Sequence, residues 1–197
     1  ALFCESVSNP GLDVADLEAI SKIANDHGIP LIVDSTFSTP YLTRPIEHGA
    51  SIVVHSLTKW LGGQGNGIGG IVIDSGTFDW KNGNFPLDDQ PDSSYHGLRW
   101  GHDLPEPLAP LAFILRMRTV PLRNLGACIS PDNSWQFIQG IETLPLRMER
   151  HCENALTVAK HLKNHASVEW ARFPGLEDDP NYSLNQKYLG GKGGSMV

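Results

Sequence analysis

The chain has little of what marks a secreted, membrane-spanning or nucleic-acid-binding protein. Its 197 residues include only three cysteines, Cys4, Cys128 and Cys152, which favour a reducing cytoplasm over a disulfide framework. No apolar run approaches the roughly 20 residues of a membrane span. Lys and Arg total 15 against 22 Asp and Glu, and a net charge of −7 without a basic block disfavours nucleic acid. The eight histidines lack metal-ligand spacing, so we expect no bound metal.

What is present is an ordinary globular composition with an α/β pattern. Hydrophobic residues make up 40% of the chain and charged residues 19%. Short runs rich in β-branched residues predict buried strands at residues 2–6, 31–34, 52–55 and 70–74. A helix capped by Asp13 and ended by Gly28 is predicted between the first two strands. This β-α-β alternation predicts a mostly parallel sheet.

The second half of the chain is predicted to be irregular and then helical. Residues 76–106 lack periodicity, and so long an irregular stretch is more often functional than filler. The remaining elements predicted are helices at 108–118, 131–140 and 146–165 and a strand at 168–173. A domain change near Ser130-Pro131 divides the chain into residues 1–130, part of a large domain, and residues 131–197, a linking helix and the start of a second domain.

Polar side chains follow the two central predicted strands. Asp34 directly follows one apolar run, and the segment His-Ser-Leu-Thr-Lys, residues 55–59, follows the next. Ligands of open α/β sheets collect outside the carboxyl ends of the strands, so we expect an acid, two hydroxyls and an amine at one edge. A pyridoxal 5'-phosphate (PLP) site needs these groups: Lys59 for the imine, Asp34 for the pyridinium proton, and Ser56 and Thr58 for the phosphate.

Each of these residues also has an ordinary structural explanation. Lysines are mostly exposed, so Lys59 taken alone is better explained as a surface residue at a strand end. Asp34 alone is better explained as a helix cap or half of a salt bridge. Thr58 can cap a helix through its hydroxyl.

Two further features have structural interpretations. The glycine-rich run at residues 62–70 follows the lysine and precedes no helix, which is the reverse of a phosphate-binding P-loop. The run is either a close passage of backbone beside a cofactor or a flexible turn. Arg147 and Arg150 lie on one helix face, where we expect both to form structural pairs.

Four segments of the chain carry a family resemblance. They are ESVSNPG at residues 5–11, VDSTFSTPYLTRPIEHGA at 33–50, VVHSLTKWLGG at 53–63 and GIETLPLRMERHCENA at 140–155. They resemble the Cys/Met-metabolism PLP-dependent enzymes, and the resemblance covers essentially the whole chain. Within that family it is greatest to the O-acetylhomoserine sulfhydrylases, with cystathionine γ-synthase and methionine γ-lyase as alternatives. It implies a type I PLP-dependent fold: part of a three-layer α/β/α domain that binds PLP, plus the start of a smaller α+β C-terminal domain.

The resemblance also implies residue roles and a reaction. Lys59 matches the Schiff-base lysine and Asp34 the acid at the pyridine nitrogen. Ser56 and Thr58 match phosphate ligands, and Asn9 matches an asparagine near the phenolic oxygen of the cofactor. The implied activity is γ-replacement on O-acetylhomoserine by sulfide or a thiol, giving homocysteine or methionine. The implied enzyme is a cytoplasmic homo-oligomer, a dimer or a tetramer.

The chain departs from the family pattern at two positions and lacks several of its parts. Ser35 stands where Asn is common, and Gln64 stands where His is common, though neither change removes a required group. The family's ring-stacking aromatic, Gly-rich phosphate-binding helix start, cross-subunit arm and carboxylate-binding arginine have no counterpart here. We therefore expect the chain to be the middle of a longer enzyme. The alternative for the chain alone is an inactive fragment that only self-associates.

Overall fold

The computed structural model, which describes residues 1–195, contains a four-stranded sheet in the order β1-β2-β3-β4. The strands are β1 Leu2–Glu5, β2 Leu31–Asp34, β3 Ile52–Ser56 and β4 Gly70–Asp74. β1, β2 and β3 are parallel, and β4 is antiparallel to β3. The prediction of a mostly parallel sheet is confirmed.

Helices fill the connections between strands and most of the second half of the chain. They are α1 Leu17–Asp26, α2 Thr39–Leu42, α3 Pro86–Asp89, α4 Ala112–Met117, α5 Arg123–Leu125, α6 Pro131–Glu142, α7 Leu144–Lys163 and α8 Tyr182–Tyr188. Tight 3-10 turns lie at Pro45–His48, Ser93–Tyr95 and Ala109–Leu111, and wide π-type turns at Leu57–Leu61 and Arg118–Leu122. Within residues 1–195 every helix is too short or too polar to cross a membrane.

Helix α1 begins later than the sequence predicted. Val14 forms an isolated antiparallel bridge with Val7, so the backbone after Asp13 is extended rather than helical. Asp16 is the residue that caps the helix, and its side chain accepts a hydrogen bond from the Ala19 amide at 3.4 Å. The prediction of Asp13 as the cap is therefore wrong, because the bridge between Val7 and Val14 holds the segment before the helix extended.

The strand predicted at residues 168–173 does not form. The sheet ends at β1 and β4, and no described strand pairs with this segment. Phe173 is instead fully buried against Ala155 and Ala159 of α7. The apolar pattern here reflects the packing of side chains on a helix, because a strand also needs a neighbour to satisfy its backbone.

The predicted helices at 131–140 and 146–165 correspond to α6 and α7, with shifted ends. Helix α7 begins at Leu144 because Pro145 is accommodated in its first turn. The helix predicted at 108–118 is present as the 3-10 turn Ala109–Leu111 followed by α4, and the helical path continues past residue 118 through a wide turn that contains Pro121. Proline lacks the amide hydrogen that a regular ladder needs at that position.

One hydrophobic core joins the sheet to the two long helices. It includes Val33 of β2, Val53 of β3, Phe137 of α6 and Met148 of α7. Helices that follow the predicted boundary therefore pack on the same core as the strands that precede it. The domain change near Ser130-Pro131 stays a prediction.

Helix α6 makes an unusually close backbone contact with the turn that follows β3. A Cβ atom on Gly140 would lie 2.3 Å from the Gly62 carbonyl oxygen. A Cβ atom on Gly62 would lie 2.8 Å from Phe137 Cδ1. Only glycine permits both approaches, so these two residues set how near the helix lies to the turn.

We expect Gly140→Ala to lower the free energy of unfolding by about 1–3 kcal/mol, because the added methyl group overpacks this contact. The exposed neighbour Gln139 provides the control, and Gln139→Ala should change stability by less than about 0.5 kcal/mol. Urea denaturation of both variants measures the difference. Equal stabilities would show that α6 does not lie this close to the turn.

Candidate functional site

The carboxyl ends of β1, β2 and β3 meet at one edge of the sheet. Glu5 ends β1 and pairs in register with Asp34, which ends β2. Ser56 ends β3, and Lys59 follows it in the wide turn Leu57–Leu61, here called the lysine turn. In open α/β sheets this edge is where ligands bind.

A cavity at this edge contains four of the five predicted site residues. Its lining consists of Glu5, Val7, Asn9, Asp34, Thr36, Phe37, Ser56 and Lys59. Its volume is about 110 Å³. Three strand ends and the lysine turn thus contribute an amine, two carboxylates, two hydroxyls and an amide to one space.

Thr36 holds the carboxylate of Asp34. Asp34 Oδ1 accepts hydrogen bonds from the Thr36 amide at 2.9 Å and from its hydroxyl at 2.5 Å. Thr36 Oγ1 in turn accepts from the Ser56 amide at 2.9 Å, so the ends of β2 and β3 are tied together. Among residues 1–195 both hydrogen bonds to Asp34 reach Oδ1, which leaves Oδ2 without a protein partner.

Thr36 was missed by sequence reasoning, although its position carried a signal. A hydroxyl two residues after an Asp is typical of a turn in which the acid accepts from the backbone ahead of it. Glu5 was also missed. It occupies the last position of β1, as Asp34 does in β2, and Glu5 Oε2 accepts from the Asn9 amide at 2.8 Å. That bond holds Asn9 at the cavity.

Lys59 lies at an irregular point of the lysine turn. Its backbone angles, φ −89° and ψ −124°, fall outside the helical region. Two hydrogen bonds close the turn around it: the Gly62 amide donates to the Leu57 carbonyl at 2.9 Å, and the Gly63 amide donates to the Lys59 carbonyl at 2.8 Å. The Lys59 side chain is exposed. Wide turns of this kind are frequent at functional sites.

Thr58 is the predicted site residue that does not line the cavity. Its Oγ1 accepts from the Gly69 amide at 3.1 Å, and the Leu57 amide donates to the Gly69 carbonyl at 2.9 Å. The hydroxyl therefore ties the lysine turn to the end of the glycine-rich run, which leads into β4. The phosphate-binding roles of Thr58 and Ser56 stay predictions.

His55 lies on the face of β3 opposite Ser56, because successive strand residues point to opposite faces. It lines a second, apolar cavity with Val53 and Ile73. Only 4% of its surface is exposed, and its Nδ1 has no hydrogen-bond partner among the described residues. Burial lowers the pKa of His55 below its ordinary value of 6.5. The imidazole is therefore neutral at neutral pH.

The lowered pKa of His55 predicts a pH-dependent stability. As the pH falls below about 6.5, the unfolded chain takes up a proton on this residue before the folded chain does, so stability falls. We expect the wild type to lose more free energy of unfolding than His55→Gln between about pH 7.5 and about pH 5.5. Urea denaturation at both pH values measures the two slopes. Identical slopes would contradict the neutral, buried state of His55.

Comparison with known proteins places this chain among enzymes that use PLP. A profile described as Cys/Met metabolism PLP-dependent enzyme matches residues 1–197. The chain is 52% identical over 192 residues to an O-acetyl-L-homoserine sulfhydrylase from Leptospira meyeri, covering 95% of this chain and 43% of that protein. It is 45% identical over 192 residues to a homocysteine synthase from Schizosaccharomyces pombe, covering 96% of this chain and 44% of that protein.

A solved structure shows the same fold. The chain superposes with a TM-score of 0.87 and 38% identity on a protein described as an O-acetylhomoserine (thiol)-lyase from Campylobacter jejuni. The match covers 95% of this chain and 46% of that one, in which a lysine carries a pyridoxyl 5'-monophosphate group. The expectation of a partial type I PLP-dependent fold is confirmed. The chain spans less than half the length of these relatives.

Proposed function

This chain belongs to the Cys/Met metabolism PLP-dependent enzymes, and we propose that it is part of an enzyme that replaces the γ-acetoxy group of O-acetylhomoserine with sulfide or a thiol. The observation that carries the proposal is the cavity shared by Lys59, Asp34, Ser56 and Asn9. Relatives described as a sulfhydrylase and a homocysteine synthase support γ-replacement as the reaction.

The residues that line the cavity fit PLP. Lys59 offers an amine for its aldehyde, and Asp34 Oδ2, free of protein partners among residues 1–195, suits the ring N–H. Ser56 and Asn9 offer donors for the phosphate and the phenolic oxygen. When bound, PLP supplies an electron sink that stabilises the negative charge left when a substrate C–H bond breaks.

In the proposed reaction Lys59 has two roles. Its amine holds the cofactor aldehyde until the substrate amine displaces it. As a free amine it then removes a proton from the substrate Cα and moves protons between Cα and Cβ. Acetate leaves Cγ as the C–O bond breaks, and the sulfur nucleophile forms the new C–S bond at the same carbon.

Asp34 keeps the pyridine nitrogen protonated in this proposal, because a carboxylate beside the ring favours the cationic form. Thr36 fixes the orientation of that carboxylate through its two hydrogen bonds to Oδ1. The residue roles thus divide between an amine that moves protons and an acid that holds one in place.

We also propose that the parent enzyme is a homo-oligomer, a dimer or a tetramer, that works in the cytoplasm. Large apolar side chains on the surface of α6 and α7 support association, since Trp135, Ile138 and Leu146 are between 57% and 74% exposed. The cysteines, all free, suit a reducing compartment.

The full-length parent, incubated with O-acetylhomoserine and sulfide, should form homocysteine and acetate. Lys59→Ala should lose turnover by at least about 10²–10⁴-fold, because proton transfer by a positioned group contributes that much. Mass spectrometry of the products provides the measurement. A keto acid without homocysteine would indicate a γ-lyase, and product formation only with cysteine would indicate a cystathionine γ-synthase.

In the same parent, Asp34→Asn should retain PLP but slow turnover by at least about a hundredfold, because the shape of the side chain is kept and its charge is lost. Asp26→Asn is the matched control, since Asp26 is exposed and pairs with Lys22 at the end of α1. Absorbance of bound PLP and the rate of homocysteine formation separate binding from chemistry. Full activity of Asp34→Asn would show that the acid is only structural.

A further inference from the structure

Arg147 of α7 makes several bonds to the lysine turn and to the end of α6. Its Nη1 donates to the Trp60 carbonyl at 2.7 Å, and its Nη2 donates to the carbonyls of Gly140 at 2.8 Å and Leu61 at 3.4 Å. Its Nε donates to Thr143 Oγ1 at 3.1 Å. One guanidinium therefore joins the two carbonyls that follow Lys59 to the junction between α6 and α7.

The sequence predicted structural pairs for both Arg147 and Arg150. Arg150 behaves as expected and lies 3.5 Å from Glu153 on the same helix. Arg147 pairs with no carboxylate in residues 1–195, and partial burial lowers its pKa. A cation taken from water and bonded only to neutral oxygens is costly unless those bonds are well made. The partners of Arg147 are thus three backbone carbonyls and the Thr143 hydroxyl.

The backbone just after the lysine turn leaves room for this guanidinium. Gly63 has a φ of +74°, and a Cβ atom there would lie 2.5 Å from Arg147 Cζ. The backbone at Gly63 therefore packs directly on the guanidinium. The Trp60 ring also packs on His151 of α7, with 4.9 Å between the ring centroids. Helix α7 thus contacts both the backbone of the lysine turn, through Arg147, and a side chain of the turn, through His151.

We propose that Arg147 is a positioning residue for Lys59. The carbonyls of Trp60 and Leu61 lie directly after the point where the backbone leaves the helical region, and Arg147 binds both. Its guanidinium holds the turn in that conformation and so holds the Lys59 amine at the cavity. The inference rests on the proposed function only for the identity of the cofactor that the amine receives.

Hydrogen exchange of this chain without cofactor tests the positioning of the turn. In Arg147→Met the Gly62 and Gly63 amides should exchange at least about tenfold faster, because bonds to a charged donor are lost. Exchange in residues 31–34 and 52–56 should match that of the control Arg150→Met. Arg147→Lys should give an intermediate rate, since an ammonium keeps the charge but cannot bind several carbonyls in one plane. If Arg147→Met fails to fold, the comparison of Arg147→Lys with Arg150→Met decides.

Trapping of the full-length parent with PLP and borohydride tests the consequence for the amine. Peptide mapping should find the label on Lys59 in the wild type and in Arg150→Met, and about tenfold less of it in Arg147→Met. The inference is overturned if Arg147→Met matches Arg150→Met in both measurements. It is also overturned if the turn and the strands loosen equally, which would make Arg147 a general stabiliser. A wild type with no label on Lys59 contradicts the proposed function instead, and hydrogen exchange then decides the positioning of the turn.

Discussion

The parallel pairing of β1, β2 and β3 is the constraint on which the site depends. The register of Glu5 with Asp34, and of Asp34 with Val54, brings the ends of separate segments to one edge of the sheet. A slip of one residue in β2 would turn Asp34 to the opposite face, because side chains alternate along a strand. The hydrogen bond from the Ser56 amide to Thr36 secures this alignment just beyond the end of β2.

The lysine turn depends on residues that lie far away in the sequence. Trp60 and Arg147 are separated by 87 positions, yet the Arg147 guanidinium donates a hydrogen bond to the Trp60 carbonyl. The contact between Gly62 and Gly140 sets the distance between the turn and α6. Since the turn has little regular structure of its own, its conformation depends on these contacts with α6 and α7. The chemistry of the first third of the chain thus relies on the helices of the last third.

Strand β3 separates two environments of opposite character. Ser56 lies at the polar cavity, where it meets Asp34, Asn9 and Lys59. His55, its neighbour in sequence, lies at an apolar cavity on the other face and is kept neutral by burial. The polar residues of one short segment therefore lie in different surroundings, and the alternation of the strand decides which of them reaches the polar cavity.

The sequence by itself determined the strands, the mostly parallel sheet and the placing of Asp34 and Lys59 at strand ends, because these follow from local patterns of apolar residues. Family resemblance added the cofactor, which no local pattern could identify alone. Only the tertiary structure decided what holds these residues. The bond of Thr36 to Asp34, the backbone partners of Arg147, the cap at Asp16 and the absence of a strand at 168–173 all escaped or contradicted sequence reasoning. Two of the backbone partners of Arg147 lie 86 and 87 positions away in the lysine turn, and a local pattern carries no information about which distant partner a side chain will meet.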